Sequence, residues 1–302
     1  MSVRAELLRL GLRLFVKPSN SPRVTIARLR ERTARFARRA PMPPAGTETL
    51  RGELGGIAAL RVATPNANPD RHILFLHGGG YVIGSPELYR HLIWRFASAA
   101  RARVAAVDYR LAPEHPFPAA LDDAAAAWHG LLDEGADPRR TAVIGDSAGG
   151  GLALALGLRL RDAAVPLPAA LVVLSPWTDL ALTGASLHLN AAADPMQNAA
   201  ELPFLTSRYL AGADPRNPYA SPLYGDPADL PPSLIQVGSD EILRDDAVRM
   251  AERMRMAGCE VALEIWPRMP HVWHALAPTI PEALRAIARI GAFIQQETAR
   301  GS

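Results

Sequence analysis

Short apolar, β-branched segments recur along the chain between longer stretches of helical periodicity. Strands are predicted around Ile57–Val62, Ile73–Leu76, Val104–Val107, Ala142–Gly145, Leu171–Ser175, Leu234–Val237 and Val261–Trp266. Helices are predicted over Pro118–Leu132, Ala148–Asp162, Asp245–Ala257 and Pro281–Gln296, the first and last opening with a proline that the first helical position tolerates. Such alternation predicts a doubly wound α/β fold, a mostly parallel central sheet with helices on both faces. No internal repeat, low-complexity tract or long linker divides it. Two segments fit the sheet poorly. Residues 1–45 are helical and basic. Residues 184–225 are rich in Ala, Asn and Pro with a short apolar face at Phe204, Leu205, Tyr209 and Leu210, and their position is that of a lid over the carboxyl ends of the strands. The expected organisation is one globular domain, with core segments 46–183 and 226–302 and the other two segments lying over them.

Composition narrows the classes of partner. At 302 residues, 49% hydrophobic and 21% charged, the chain buries a large core. Its net charge of +3 is uneven: residues 1–40 hold ten Arg and Lys17 against Glu6 and Glu31, leaving 22 basic and 28 acidic groups over the other 262. A nucleic-acid partner is therefore not expected for the body. The basic N-terminus, where Leu7, Leu8, Leu10, Leu12, Phe15 and Val16 alternate with Arg4, Arg9 and Arg13, fits a membrane-surface helix, a transit peptide or a solvated or packed helix, and the last is favoured. No uninterrupted apolar region precedes a cleavage site, and no stretch approaches the ~18 apolar residues of a spanning helix, so a soluble, cytoplasmic protein without stable membrane insertion is expected. Cys259 is the only cysteine, which excludes an intrachain disulfide and is read as a small core residue. No zinc-type spacing of His and Cys and no phosphate-loop pattern occurs, so no metal or nucleotide is expected.

The chemistry gathers at Gly145-Asp146-Ser147-Ala148-Gly149, a G-x-S-x-G sequence between a predicted strand and a predicted helix. The flanking glycines suit a turn so sharp that a Cβ would collide with the neighbouring backbone, leaving Ser147 at its tip as nucleophile. A serine nucleophile needs a base, a group orienting the base, and oxyanion donors. The glycine run His77-Gly78-Gly79-Gly80-Tyr81 follows a strand, so Gly78, Gly79 and Ala148 are expected to supply the donors. Asp240 stands at the end of the strand Leu234–Val237 and is the expected orienting acid, while Asp245 and Asp246 are expected to cap the next helix. His271, in the loop after Trp266, is preferred over His274 as the base; His72, His91, His115, His129 and His188 are placed on loops or the surface. Ser147, Asp240, His271 is the chain order of α/β-hydrolases.

With these residues in hand, the chain from about 48 to 297 resembles the hormone-sensitive-lipase-like family of bacterial esterases, in the branch with a G-D-S-A-G turn. The resemblance rests on His77–Tyr81, the stretch Asp108–Ala120, the serine turn, Ser175–Leu180 and the acid and histidine segments. The family pattern has Asp-Pro-Leu at the acid and His-Gly-Phe at the base; here Asp240-Glu241-Ile242 and His271-Val272-Trp273 stand there. The resemblance implies an α/β-hydrolase with a cap built from residues 1–45 and 184–225. It also implies a serine carboxylesterase for short-chain esters or lactones, without metal or cofactor and frequently dimeric. Tyr81, Asp146, Phe204, Leu205 and Trp273 are expected around the substrate. Amidase or deacetylase action passes through the same intermediate and stays open, and a non-enzymatic small-molecule receptor on this fold is the alternative from another class. Asp146 and Glu114 are read as stabilising turns rather than moving protons.

Overall fold

The computed structural model describes residues 2–17, 25–39 and 41–300. Its strands are β1 (Glu48–Leu54), β2 (Ile57–Ala63), β3 (His72–Leu76), β4 (Arg103–Val107), β5 (Thr141–Asp146), β6 (Ala170–Leu174), β7 (Ser233–Gly238) and β8 (Val261–Trp266). They form one sheet in the order β1-β2-β4-β3-β5-β6-β7-β8. β2 pairs antiparallel with β1 and β4, and every pairing from β4 through β3 to β8 is parallel. The central strands β5, β6 and β7 are buried at every position, which is why their sequences are near-continuous apolar runs rather than alternating ones.

The helices are α1 (Val3–Gly11), α2 (Ile26–Arg39), α3 (Pro86–Ala100), α4 (Ala119–Asp133), α5 (Ala148–Asp162), α6 (Ser186–Leu189), α7 (Leu202–Leu210), α8 (Arg244–Met256) and α9 (Pro281–Arg300). On one sheet face α3 and α9 pack Leu92, Phe96, Ile287 and Ile290 against Ile73, Phe75 and Ile144. On the other, α4, α5 and α8 bury Trp128, Leu152, Leu156 and Met250 against Leu74, Val143 and Ile235. Outside the segment 184–225, where the periodicity does not predict the helices α6 and α7, two elements escaped the periodicity reading. β1 is an edge strand exposed at six of its seven positions, so it has no apolar face to betray it. α3 carries a legible start, with Ser85 accepting from the Leu88 N–H and Pro86 in the first turn, ahead of Leu88, Leu92 and Phe96.

The parallel strands end together at Leu76, Asp146, Leu174, Gly238 and Trp266. Loops leaving those ends converge on one side of the sheet, where open α/β folds bind their ligands. Of residues 1–45, positions 1, 18–24 and 40 lie outside the described residues.

Candidate active site

Ser147 sits between the last residue of β5 and the first of α5 at φ 54°, ψ −121°. For a residue with a side chain this backbone is strained, and the surrounding structure enforces it. The Ser147 N–H donates to the Leu174 carbonyl at 2.8 Å. A Cβ on Gly145 would stand 2.0 Å from the Gly149 carbonyl oxygen, and one on Gly149 2.1 Å from that of Leu76. No side chain fits at either flank, so the turn presses β5 and α5 together and leaves the serine hydroxyl at the tip.

His271 faces it. Its Nε2 lies 2.9 Å from Ser147 Oγ, and its Nδ1 lies 2.8 Å from Glu241 Oε2. The acid against the imidazole is therefore Glu241, not Asp240. Once the chain leaves β7 it turns, and the two adjacent carboxylates diverge. Glu241 is fully buried, and its Oε1 accepts from the Gly238 N–H at 2.6 Å and from Ser175 Oγ at 2.7 Å. Asp240 points away, accepting from Arg9 Nη2 of α1 at 2.7 Å and from Ser239 Oγ at 2.8 Å. Ser175, in the left-handed region at φ 47°, ties both loops: the hydroxyl that donates to Glu241 accepts from the Val272 N–H at 3.1 Å.

The segment 184–225 grips the acid loop from above. Asn190 Nδ2 donates to the carbonyls of Ser239 and Glu241 at 3.0 and 2.8 Å, and the Ile242 N–H donates to the buried Asp194 carboxylate at 3.0 Å. Asp245 and Asp246 lie in the first turn of α8 but do not cap it: their carboxylates take the N–H group of Ser186 in the later segment and those of Thr178 and Asp179 after β6. Sequence reasoning missed Asn190, Asp194 and Arg9, because each acts through contacts between segments that no local spacing encodes.

Burial works against a charged His271, but the hydrogen bond and charge of Glu241, with the carboxylates of Asp194 and Asp146, outweigh it and hold the imidazole pKa above its ordinary value. His274 is different. Fully buried, it meets Gln236 Oε1 at 2.8 Å, and burial pushes its pKa down to about 3, so it stays neutral and away from the serine.

The glycine loop shows a second departure. The Gly78 N–H donates to Asp146 Oδ1 at 2.9 Å, and Tyr89 Oη donates to Asp146 Oδ2 at 3.0 Å. Gly78 is thus occupied in holding the loop. Gly79 and Gly80 line the cavity beside Ser147, and among the described residues nothing accepts from their N–H groups or from that of Ala148. Gly79 has φ +122°, and a Cβ there would come within 2.1 Å of the Ile83 carbonyl oxygen, so only glycine fits. Behind the loop His77 stacks on Tyr109 at 4.3 Å between centroids, while Tyr109 Oη donates to the His77 carbonyl at 2.6 Å. Burial pushes Asp146 up to about 7 against its hydrogen bonds. Glu114 lies outside, paired with Arg30 of α2, which also donates to the carbonyls of Val82 and Ala112.

Ser147 and His271 open into a cavity of about 510 Å³. Its walls come from Val16 and Leu29 on the N-terminal side, Val82, Ile83 and Leu88 beside the glycine loop, and Met196, Leu202, Phe204 and Leu205 from the later segment. Asp146, Phe204 and Leu205 thus lie where the sequence places them. Tyr81 and Trp273 do not. Tyr81 turns back to stack on Tyr209 at 3.7 Å, and Trp273 is wholly buried against Trp266 and His274, leaving Val272 to line the cavity. His91, expected on a loop or the surface, stands on α3 and also lines it. Among the described residues no group of three or more His, Cys, Asp or Glu could hold a metal ion.

A family model of the alpha/beta hydrolase fold matches residues 73–275. The structure superposes on an esterase from the bacterial hormone-sensitive lipase family with a TM-score of 0.93 at 43% identity, covering 99% of each chain. The chain belongs to that family. It is 50% identical over 237 residues to an acetyl-hydrolase of Streptomyces hygroscopicus, spanning 78% of this chain and 79% of that one. It is 38% identical over 228 residues to an esterase of Acinetobacter venetianus, spanning 75% of both. The crystal structure of EstE5 soaked with p-nitrophenyl butyrate matches with a TM-score of 0.94 at 39% identity, over 99% of this chain and all of that one. As a member of the hormone-sensitive lipase family, the protein is a carboxylesterase/acetyl-hydrolase. The receptor reading falls with that membership.

Proposed function

We propose that this esterase hydrolyses short-chain carboxylic esters, lactones among them, through an acyl-enzyme formed on Ser147, with His271 as base and Glu241 as orienting acid. The observation that carries the reading is the continuous relay from Ser147 Oγ through both ring nitrogens of His271 to Glu241, opening into an apolar cavity. His271 Nε2 takes the hydroxyl proton as Ser147 attacks the ester carbonyl. Glu241 accepts from Nδ1–H, which fixes the tautomer that leaves Nε2 free and stabilises the imidazolium as it forms. The N–H groups of Gly79, Gly80 and Ala148 receive the oxyanion, each donor worth about 3 kcal/mol in the transition state. His271 then protonates the leaving alcohol, and a water activated by the same nitrogen releases the acid.

Parts of the N-terminal and later segments act as the cap, with Val16, Leu29 and Thr33 from the first and Met196, Leu202, Phe204 and Leu205 from the second supplying the walls opposite Ser147. An apolar cavity of about 510 Å³ favours small acyl groups, in keeping with a relative described as an ethyl acetate hydrolase of Pseudomonas putida, 35% identical over 233 residues. In a series of p-nitrophenyl acetate, butyrate, octanoate and dodecanoate, kcat/KM should peak at the first two and fall at least about tenfold by dodecanoate. An optimum at dodecanoate would refute the short-chain reading. The matching p-nitroanilides, run alongside, separate ester from amide preference.

The base must be neutral to act, so activity is lost as pH falls through a His271 pKa held above 6.5, its ordinary value. The acid limb of kcat/KM should therefore have its midpoint above 6.5. Asp146→Asn removes one carboxylate that raises it while an amide still serves Gly78 and Tyr89, so the limb should move to lower pH with turnover kept within about tenfold. An unmoved limb would show that Asp146 carries no charge near the base.

A further inference from the structure

α1 is apolar on two opposite faces. At the ~100° step of an α-helix, Ala5, Leu8 and Arg9 share one face, and Val3, Leu7 and Leu10 the other. The first face is docked. Ala5 is buried, Leu8 packs on the core, and Arg9 grips Asp240; Ser2, which caps the helix, donates to the Glu282 carboxylate at 2.9 Å. The second face is left in solvent: Val3 is 77% exposed, Leu7 66% and Leu10 55%, followed by Leu14 at 57% and Phe15 at 78% in the π-helical turn Leu12–Val16. Packing fixes the helix in this orientation, so the stripe is a standing feature of the surface. Apolar exposure of this extent marks a partner.

Charge identifies that partner. Arg4 and Arg13 flank the stripe, both exposed, and exposed Arg28 and Arg38 follow on α2. The first 40 residues concentrate ten Arg and Lys17 against two Glu, while the remainder of the chain is net acidic. A second copy seated face to face would oppose the same basic patch to itself, a like-charge contact. An apolar stripe bordered by arginines instead matches an anionic bilayer, whose headgroups take the guanidinium groups while the side chains between them enter the acyl boundary. No helix among the described residues is long and apolar enough to cross a membrane, so the contact is peripheral. Val16, next to Phe15, lines the cavity, which sets the stripe beside the catalytic chamber.

We propose that the outer face of α1 docks reversibly on anionic lipid surfaces. The proposal stands independently of the catalytic assignments. It is tested by co-sedimenting the full-length protein with vesicles of phosphatidylcholine, alone or with about a quarter phosphatidylglycerol, at salt from about 0.05 to about 0.5 M. The expected result is binding to the anionic vesicles at least about tenfold tighter than to the neutral ones, lost as salt rises. Leu7→Asp/Leu14→Asp should abolish binding to both, and Arg4→Glu/Arg13→Glu should remove the anionic preference. Both variants should keep the wild-type melting temperature and kcat/KM on p-nitrophenyl butyrate in solution, which separates loss of docking from loss of fold or of the esterase site. Failure of the wild type to bind, equal binding to both vesicle types, or binding retained by the Leu variant would each overturn the proposal. So would a solution dimer that the Leu variant converts to monomer without any lipid binding, which would assign the face to a second copy.

Discussion

Ser147→Ala is expected to lower kcat on p-nitrophenyl butyrate by about 10⁶-fold with KM nearly unchanged. The size of the effect follows from the site acting as a unit: without the hydroxyl, His271 has no proton to move and the oxyanion donors have no covalent intermediate to receive. What survives is the modest catalysis supplied by positioned N–H groups and by binding alone. The fold should tolerate the change, since the strained backbone at φ 54° belongs to the turn and, among the described residues, the Ser147 side-chain oxygen hydrogen-bonds only to His271. Thermal melting would verify that. A fluorophosphonate probe gives an independent readout, forming one adduct on the wild type and none on the variant. A variant that keeps even about a tenth of wild-type turnover would remove Ser147 from the mechanism.

The sequence made the serine turn legible because its physics is local: two glycines, a strand before and a helix after. Strands buried on both faces were equally readable, their apolar runs being long enough to name, whereas β1 lies at the sheet edge and wears charged residues such as Glu48, Arg51 and Glu53. The order of nucleophile, acid and base was legible too, since each stands just past a strand end. Which of two neighbouring acids faces the base was not. That choice depends on how the chain turns after Gly238 and on partners as distant as Ser175 and Arg9. The glycine loop followed the same division: its presence could be read, but Asp146, 68 residues further on, withdraws the Gly78 N–H and leaves Gly79 and Gly80 facing the cavity. Tyr81 and Trp273 adjoin site residues in the chain yet turn inward to aromatic partners, so sequence proximity misplaced them.

Exchange of the two adjacent acids separates their roles. Glu241→Gln is expected to reduce kcat by about 10⁴-fold. The glutamate uses both oxygens as acceptors, from His271 Nδ1, Ser175 Oγ and the Gly238 N–H. A glutamine has only one acceptor oxygen. If that oxygen faces Gly238 and Ser175, the amide NH₂ meets His271 Nδ1 and forces the tautomer that puts the proton on Nε2, where it blocks the serine. If it faces His271, the buried Gly238 N–H loses its acceptor and confronts another donor. In either orientation the charge that raises the His271 pKa is gone, so the residual activity should show its acid limb at lower pH. Asp240→Asn should behave otherwise. It weakens a surface-side ion pair with Arg9, whose side chains are 12% and 19% exposed, at a cost of about 1 kcal/mol of stability. Turnover should stay within about tenfold, and the acid limb should not move, because Asp240 is not among the groups that shift His271. The reverse pattern, with Asp240→Asn crippled and Glu241→Gln active, would return the orienting role to the residue that the family pattern favours and would mean that the loop after β7 adopts a different turn during catalysis.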